Sequence, residues 1–326
     1  MAGYPIPQRL LVAIGGNATH PGSIKGTPGE QLRIARLTGE ALLPIMEMDN
    51  ELIITHGNGP VVGKILMRQA IARDRVPPMS MDICVAHSQG GIAYLLMQAL
   101  ENSLRRAGNP RHVVCLLTQV EVDPDDPAFS APTKPVGFFF DDDEAEAVKR
   151  AFGWRMCKEG EQGWRYVVPS PQPKHIVDIS LIETVAKSGA IVIAGGGGGI
   201  PVVRKPNGER HGLEAIIDKD LSSAHMANVL GVEVLLILTE IDAVRVNYGK
   251  PGEQPLGEIR VDELEKYHAE DQFSKGSMGP KVQAAINFVN RGGARAAIAS
   301  LFDAEAALRG EAGTQVLPSL QRAKKV

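Results

Sequence analysis

Three lysines of this chain stand where an ammonium group can be aimed rather than left in solvent. Lys219 sits between two carboxylates in Ile216-Ile217-Asp218-Lys219-Asp220, just ahead of a helix-like segment that begins at Leu221. Lys281 closes the run FSKGSMGPK (273–281), where two glycines and a proline lead into a helix expected over Val282 to Asn290. Lys134 lies between Thr133 and Pro135 in a proline-rich stretch. Lysines in loops punctuated by Gly and Asp suit phosphoryl transfer. That reaction asks little covalent chemistry of a protein, but it needs positive charge on the moving group and in-line placement of donor and acceptor. In this pattern Asp220 orients Lys219; contact of Asp220 with a nucleotide-bound magnesium is the weaker expectation.

The glycines point to the same class of ligand. Leu10 to Ile14 runs into Gly15-Gly16-Asn17, Leu52 to Ile54 into Thr55-His56-Gly57-Asn58-Gly59-Pro60, and Ala190 to Ala194 into Gly195 to Gly199. Glycine lets backbone N–H groups converge on a ligand, and a strand–glycine–helix junction adds the positive end of a helix dipole. Three such junctions imply a polyanion, such as a nucleotide with an anionic co-substrate. The familiar phosphate fingerprints do not fit. Gly57 to Lys64 has five residues between Gly57 and Gly63, with Ile65 where a P-loop needs Ser or Thr, and the third glycine is misplaced for a dinucleotide fold.

The elements that must carry these loops read as a parallel sheet. Continuous, β-branched apolar runs describe strands buried on both faces. Further strands are expected at Val113 to Val120, Val232 to Thr239 and Ala294 to Ser300, with a short one at Met79 to Val85. Helices are expected over Gln31 to Met48, Ile92 to Arg106, Ile176 to Lys187 and Leu221 to Leu230. Such alternation predicts βαβ units, helices on both faces, and ligands at the carboxyl ends of the strands. One stretch departs from it. Residues 121–173 hold seven prolines, five phenylalanines (Phe129, Phe138, Phe139, Phe140 and Phe152) and both tryptophans, Trp154 and Trp164. Aromatics on this scale argue for a small subdomain, and we expect a lid inserted in a single domain that spans 1–326. The run Asp141-Asp142-Asp143-Glu144 reads as a helix N-terminus.

Taken in order, these blocks resemble carbamate kinases of the amino acid kinase family from about residue 9 onward. The matching segments are LLVAIGGNA (10–18), THGNGP (55–60), LLTQVEVDPDDPAF with PTKPVG (116–137), VVPSPQPK (167–174), AIVIAGGGGGIPVV (190–203), EAIIDKDLSSA (214–224), VLLILTEIDAVRVNYG (234–249) and FSKGSMGPKVQAA (273–285). The resemblance implies an α/β fold: an open, mainly parallel three-layer αβα sandwich with a small protruding subdomain, assembled as a homodimer. It implies reversible transfer of phosphate between ATP and carbamate, giving ADP and carbamoyl phosphate, used for ATP synthesis in arginine catabolism. Magnesium would accompany ATP or ADP, held by the nucleotide phosphates with no metal site of the protein's own. Position by position, Gly15, Gly16 and Asn17 would meet the transferring phosphate, and Gly57, Asn58 and Gly59 the carbamate. Lys219 and Lys281 would neutralise the transition state, Asp220 would orient them, and Lys134 would reach the substrate on closure. Gly197, Gly198, Asp242, Tyr248 and Met278 would line the nucleotide pocket. Departures from the family pattern fall at His87 and Gly91, and at Arg165-Tyr166 in place of an Arg-Arg pair.

Other readings compete. A kinase for another small acid keeps the same residues, and a non-catalytic nucleotide sensor keeps the same fold. Ala86-His87-Ser88-Gln89-Gly90 also imitates a nucleophile elbow, making Ser88 the nucleophile of a hydrolase with Asp242 and His268 downstream. Composition narrows the field further. With 35 basic and 38 acidic residues in 326, a formal charge of −3 disfavours a nucleic-acid partner. No apolar run suits a membrane span, and the three cysteines (Cys84, Cys115, Cys157) form no CxxC, so a cytoplasmic, reduced protein is expected. His56 follows a strand and is expected to serve structure or hydrogen bonding.

Overall fold

The computed structural model describes residues 4–16, 20–21, 24–274 and 276–320. Its centre is an eight-stranded sheet, ordered Glu258–Arg260, Thr314–Leu317, Arg295–Ser300, Val234–Thr239, Arg9–Ile14, Glu51–His56, Ile191–Ile193 and Val113–Cys115. Every pairing is parallel except that between Arg295–Ser300 and Thr314–Leu317. The strand Arg9–Ile14 is apolar at five successive positions because both of its faces are covered. Its alternating side chains feed two cores. Leu11 and Ala13 join Ile53, Leu235 and Ile237 on one side, beneath the helices Lys219–Val229 and Met278–Asn290. Leu10, Val12 and Ile14 join Leu52, Ile54 and Leu236 on the other, beneath Pro28–Met46 and Met81–Arg106. The result is the expected three layers.

A second sheet (Arg210–Gly212, Ile200–Arg204, Gln119–Val122, Pro173–Ile176) stands beside the first. From its inner strand Gln119–Val122 the chain departs through a third sheet of Lys134–Phe140, Trp164–Val168 and Met156–Lys158, and it returns on the edge strand Pro173–Ile176. The helix Asp142–Phe152 covers that small sheet, opened by a capping box between Asp141 and Glu144 as the acidic run requires. A separate apolar cluster joins it to the body. Val136 and Val168 pack with Val62 and Leu66 of the helix Gly59–Ala72, and with Cys84 and Val85.

Two sequence-based expectations are corrected here. Met79 to Val85 is not a strand; one helix runs from Met81 to Arg106 through His87, Ser88, Gly90 and Gly91. Its buried polar residues find partners, since Ser88 Oγ donates to Val85 O at 2.7 Å and Gln89 bonds Thr118 and Gly196. Val113 to Val120 is likewise not one strand. It breaks into Val113–Cys115 and Gln119–Val122, in different sheets, because Thr118 turns the chain by donating to Leu116 O and accepting from Gly195 N–H. Among the described residues, no helix is long and apolar enough to cross a membrane.

Candidate active site

The glycine loops follow directly from three neighbouring central strands. Gly15 N–H donates to Leu238 O at 3.0 Å and Gly57 N–H to Ile14 O at 3.0 Å, so each loop is pinned to the strand beside it. The two loops nest backbone on backbone. A Cβ at Gly57 would lie 2.7 Å from Gly16 N, and one at Gly16 would lie 3.1 Å from Gly59 Cα. Glycine is needed here for close approach, not for turning. Asn17 lies outside the described residues.

Asn58 follows the second loop. Its Nδ2 donates to Ser88 Oγ at 3.3 Å, and a Cβ on Gly197 would come within 2.5 Å of that nitrogen. Gly198 is pressed against Ile217 O in the same way, at 2.4 Å. Gly197 and Gly198, with φ of 65° and 90°, are buried, and the side where a Cβ would stand is filled by Asn58 and by the segment that leads to Asp218. Ser88 is fully buried in mid-helix, with no strand–turn–helix about it and, among the described residues, only Asn58 and Val85 as side-chain hydrogen-bond partners, which removes the nucleophile-elbow reading.

Charge enters from two helix N-termini. Asp218 caps Lys219–Val229, its carboxylate accepting from the N–H groups of Asp220 and Leu221 at 3.0 and 3.3 Å. The cap fixes the next two side chains inward. Lys219 Nζ lies 2.7 Å from Asp220 Oδ1, and Lys281 Nζ, from the first turn of Met278–Asn290, lies 3.1 Å from Asp220 Oδ2. Lys134 Nζ reaches Asp218 Oδ2 at 2.7 Å from the third sheet. Three ammonium groups thus face two carboxylates, leaving one net positive charge in a largely buried cluster. Burial alone would raise the Asp220 carboxyl, but its two lysines hold it well below the ordinary carboxylate range. Burial would lower Lys281, yet Asp220 outweighs it and the net shift is upward. At Lys219 burial prevails over Asp220 and the net shift is downward. Asp220 at 2.7 Å is an ion-pair partner that can take at most one of the three ammonium protons, and no other partner of Lys219 Nζ is found among the described residues, so donors of this buried group remain open. An arriving anion would strengthen its charge.

Lys134 and Asp218 line a cleft of about 1520 Å³ whose wall also includes Gly59, Glu240, Phe273 and Gly279; Lys219, Asp220 and Lys281 lie behind that wall, next to Asp218 and Pro280. The cleft is wide enough for a nucleotide and a small acid together. Met278 opens the helix on its rim, its N–H donating to Ser274 Oγ. Asp242 and Tyr248 stand away from the wall. Asp242 pairs with Arg245 at 2.9 Å, and Tyr248 is 74% exposed. Sequence reasoning passed over His20 and Lys64 on the wall, and it gave no role to Arg165 or to the Asp218 that receives Lys134. Only Asp218 carried a signal, as an N-cap two residues ahead of a known acidic position.

The family model described as "Amino acid kinase family" matches residues 8–300. A carbamate kinase of Pyrococcus horikoshii is 45% identical over 315 residues, covering 96% of this chain and all of that protein. The chain belongs to the carbamate kinases of the amino acid kinase family. Solved structures agree in fold. A Giardia lamblia carbamate kinase bound to citric acid superposes with a TM-score of 0.91 at 36% identity, covering 96% of this chain and 99% of that one. The Giardia carbamate kinase bound to AMP-PNP gives 0.87 at 37% identity over the same shares. As a member of this family the chain is a phosphotransferase, and the lysine–aspartate cluster stands at the strand ends where such chemistry is placed.

Behind the kinase loops lies His56, fully buried, its Nδ1 3.0 Å from Gly57 O and its Nε2 without a partner. Burial lowers its pKa to about 4, so it is neutral at pH 7. A histidine depressed below its unfolded value of about 6.5 withholds a proton that the unfolded chain accepts. Stability is therefore complete above about pH 6.5 and falls as the pH drops toward 4, by about 3 kcal/mol over that window. Urea unfolding from pH 7 to 4.5 should show this loss, and His56→Gln should flatten that part of the profile. An unchanged slope in the variant would assign the acid sensitivity elsewhere.

Proposed function

We propose that this chain carries the phosphoryl group reversibly between ATP and carbamate, forming ADP and carbamoyl phosphate. The observation that supports it most is the buried Lys219 ammonium, held beside Asp220 and Lys281 and close enough to act electrostatically on His56, the residue that leads into the second glycine loop. Such a cluster favours added negative charge, and in-flight phosphate supplies it. In this reading Gly15, Gly16 and Asn17 meet the moving phosphate, and Gly57, Asn58 and Gly59 hold the acceptor. Carbamate is a small planar anion without a side chain, so backbone donors suffice to orient it. Lys219 and Lys281 neutralise the transferring group and Asp220 sets their positions. Lys134 arrives with the third sheet, which serves as a lid that keeps water from a labile acyl phosphate. In the forward direction the bond from the γ-phosphorus to the β,γ-bridging oxygen breaks and a bond to a carbamate oxygen forms; no proton need move.

Asp218 and Asp220 are already engaged by ammonium groups, and no cluster of His, Cys, Asp and Glu suited to a metal occurs among the described residues. Magnesium would therefore be carried by the nucleotide's own phosphates, where it neutralises part of their charge. A homodimer, a cytoplasmic setting and a place in arginine breakdown belong to the same proposal and rest on the resemblance to carbamate kinases. The test is direct. Purified protein supplied with ADP, magnesium and carbamoyl phosphate should form ATP, and acetyl phosphate offered in its place should be the poorer donor. Faster ATP formation from another acyl phosphate would assign a different acceptor.

A further inference from the structure

The third sheet touches the body at one unusually tight point. The helix Gly59–Ala72 begins on the acceptor loop, and one turn in it presents Gly63 to the lid. A Cβ at Gly63 would fall 2.1 Å from Gly137 Cα and 2.5 Å from Gly137 N. The obstacle is backbone, so no side chain can swing aside. Gly137 has a φ of 79° and lies where the pairing of Lys134–Phe140 with Trp164–Val168 loses register, between Val136 and Phe140. Three residues before it, on the same strand, stands Lys134, whose ammonium meets Asp218. Around the contact, Val62, Leu66, Val136 and Val168 form the apolar seal, with Trp154 stacked on Tyr166 at 4.3 Å between ring centroids.

We propose that the Gly63–Gly137 contact is the seat on which the lid closes, and that these two glycines are positioning residues that set how far Lys134 reaches toward the transferring phosphate. The proposal rests on the phosphotransferase reading for its kinetic consequence. A methyl group at Gly63 must push the lid strand outward by an ångström or more, and misplacement of that size costs about 100-fold in rate. Nucleotide contacts, made by other segments, are spared.

Kinetics of the full-length protein in the ATP-forming direction test this. Gly63→Ala should lower kcat by about 10- to 100-fold while KM for ADP stays within about twofold. Gly90→Ala, at a helical glycine with open space around it, should match the wild type. The decisive readout is coupling. Lys134→Ala should cost far less in the Gly63→Ala background than in the wild type, because a displaced lid has already withdrawn the ammonium group. Independent, multiplying losses, or a wild-type kcat in Gly63→Ala, would overturn the seat. If Gly63→Ala does not fold, the same cycle is run with Gly137→Ala, which alters the lid and leaves the two large cores intact. A second measurement does not depend on turnover. In a Trp164→Phe background, acrylamide should quench Trp154 more strongly in Gly63→Ala than in the parent, and equal quenching argues against displacement. A wild-type protein without ATP-forming activity would instead count against the functional reading.

Discussion

Lys219→Ala is expected to lower kcat for ATP formation by about 10²–10³-fold, and Lys281→Ala to do the same, with both proteins folded. Each ammonium group is positioned in advance, Lys219 by the cap that Asp218 places on its helix and Lys281 by Asp220 at 3.1 Å. A donor fixed in advance pays no reorganisation cost when charge shifts from the leaving to the accepting oxygen. Lys219→Met retains most of the apolar stem and should lose the same rate, which separates charge from packing. Because both lysines lean on one carboxylate, the double variant should lose much less than the product of the single losses. Steady-state rates near those of the wild type in the single variants would remove the proposed roles.

The second large effect concerns stability. Asp220→Ala takes away the carboxylate that the buried Lys219 and the largely buried Lys281 both contact, leaving only the more distant Asp218, already paired with Lys134, to offset them. Removing one partner from a buried ionic cluster costs about 3–5 kcal/mol, which is a large share of the stability of an ordinary domain. The pH dependence gives the sign. A buried lysine already held below its ordinary value by desolvation falls further once the carboxylate is gone. The folded variant then prefers the neutral amine, so its deficit should shrink as the pH rises from 7 toward the unfolded lysine value of about 10.4. Denaturant unfolding at pH 7 and pH 9.5 reads both quantities. Asp220→Asn should show a smaller loss, since an amide oxygen still accepts from Lys281. A deficit in Asp220→Ala that grew with pH would contradict this account.

Much of this site could be read along the chain, and the reason is local. A buried parallel strand is apolar at every position, so Leu10 to Ile14 and Leu52 to Ile54 declare themselves, and the glycines behind them mark the strand ends. Lys219 and Lys281 were visible because glycine or aspartate surrounds them. What stayed hidden depends on partners far away in sequence. Ser88 and Gln89 look too polar for a helix interior until Asn58, Thr118 and Gly196 supply their bonds. Gly197 and Gly198 look like ligand contacts because glycine-rich loops bind phosphate; here their lack of a side chain admits Asn58 and Ile217 instead. Gly63 sits in a helix with no local need for glycine, and only the arrival of Gly137 explains it. Asp242 and Tyr248 rest on the resemblance alone, with no local pattern that would place them on the cleft.

The third sheet is joined to the rest of the chain at one place. Its outbound and returning segments, Gln119–Val122 and Pro173–Ile176, are hydrogen-bonded neighbours, with Val120 opposite Ile176 and Glu121 opposite His175. The excursion therefore hangs from a single stem, and the frame beneath does not register its length. A graft at that stem leaves the folding problem of the large sheet untouched. What such a graft removes is Lys134, the one ammonium group of the cluster that the excursion carries, while Lys219, Asp220, Lys281 and the two nested glycine loops stay with the frame.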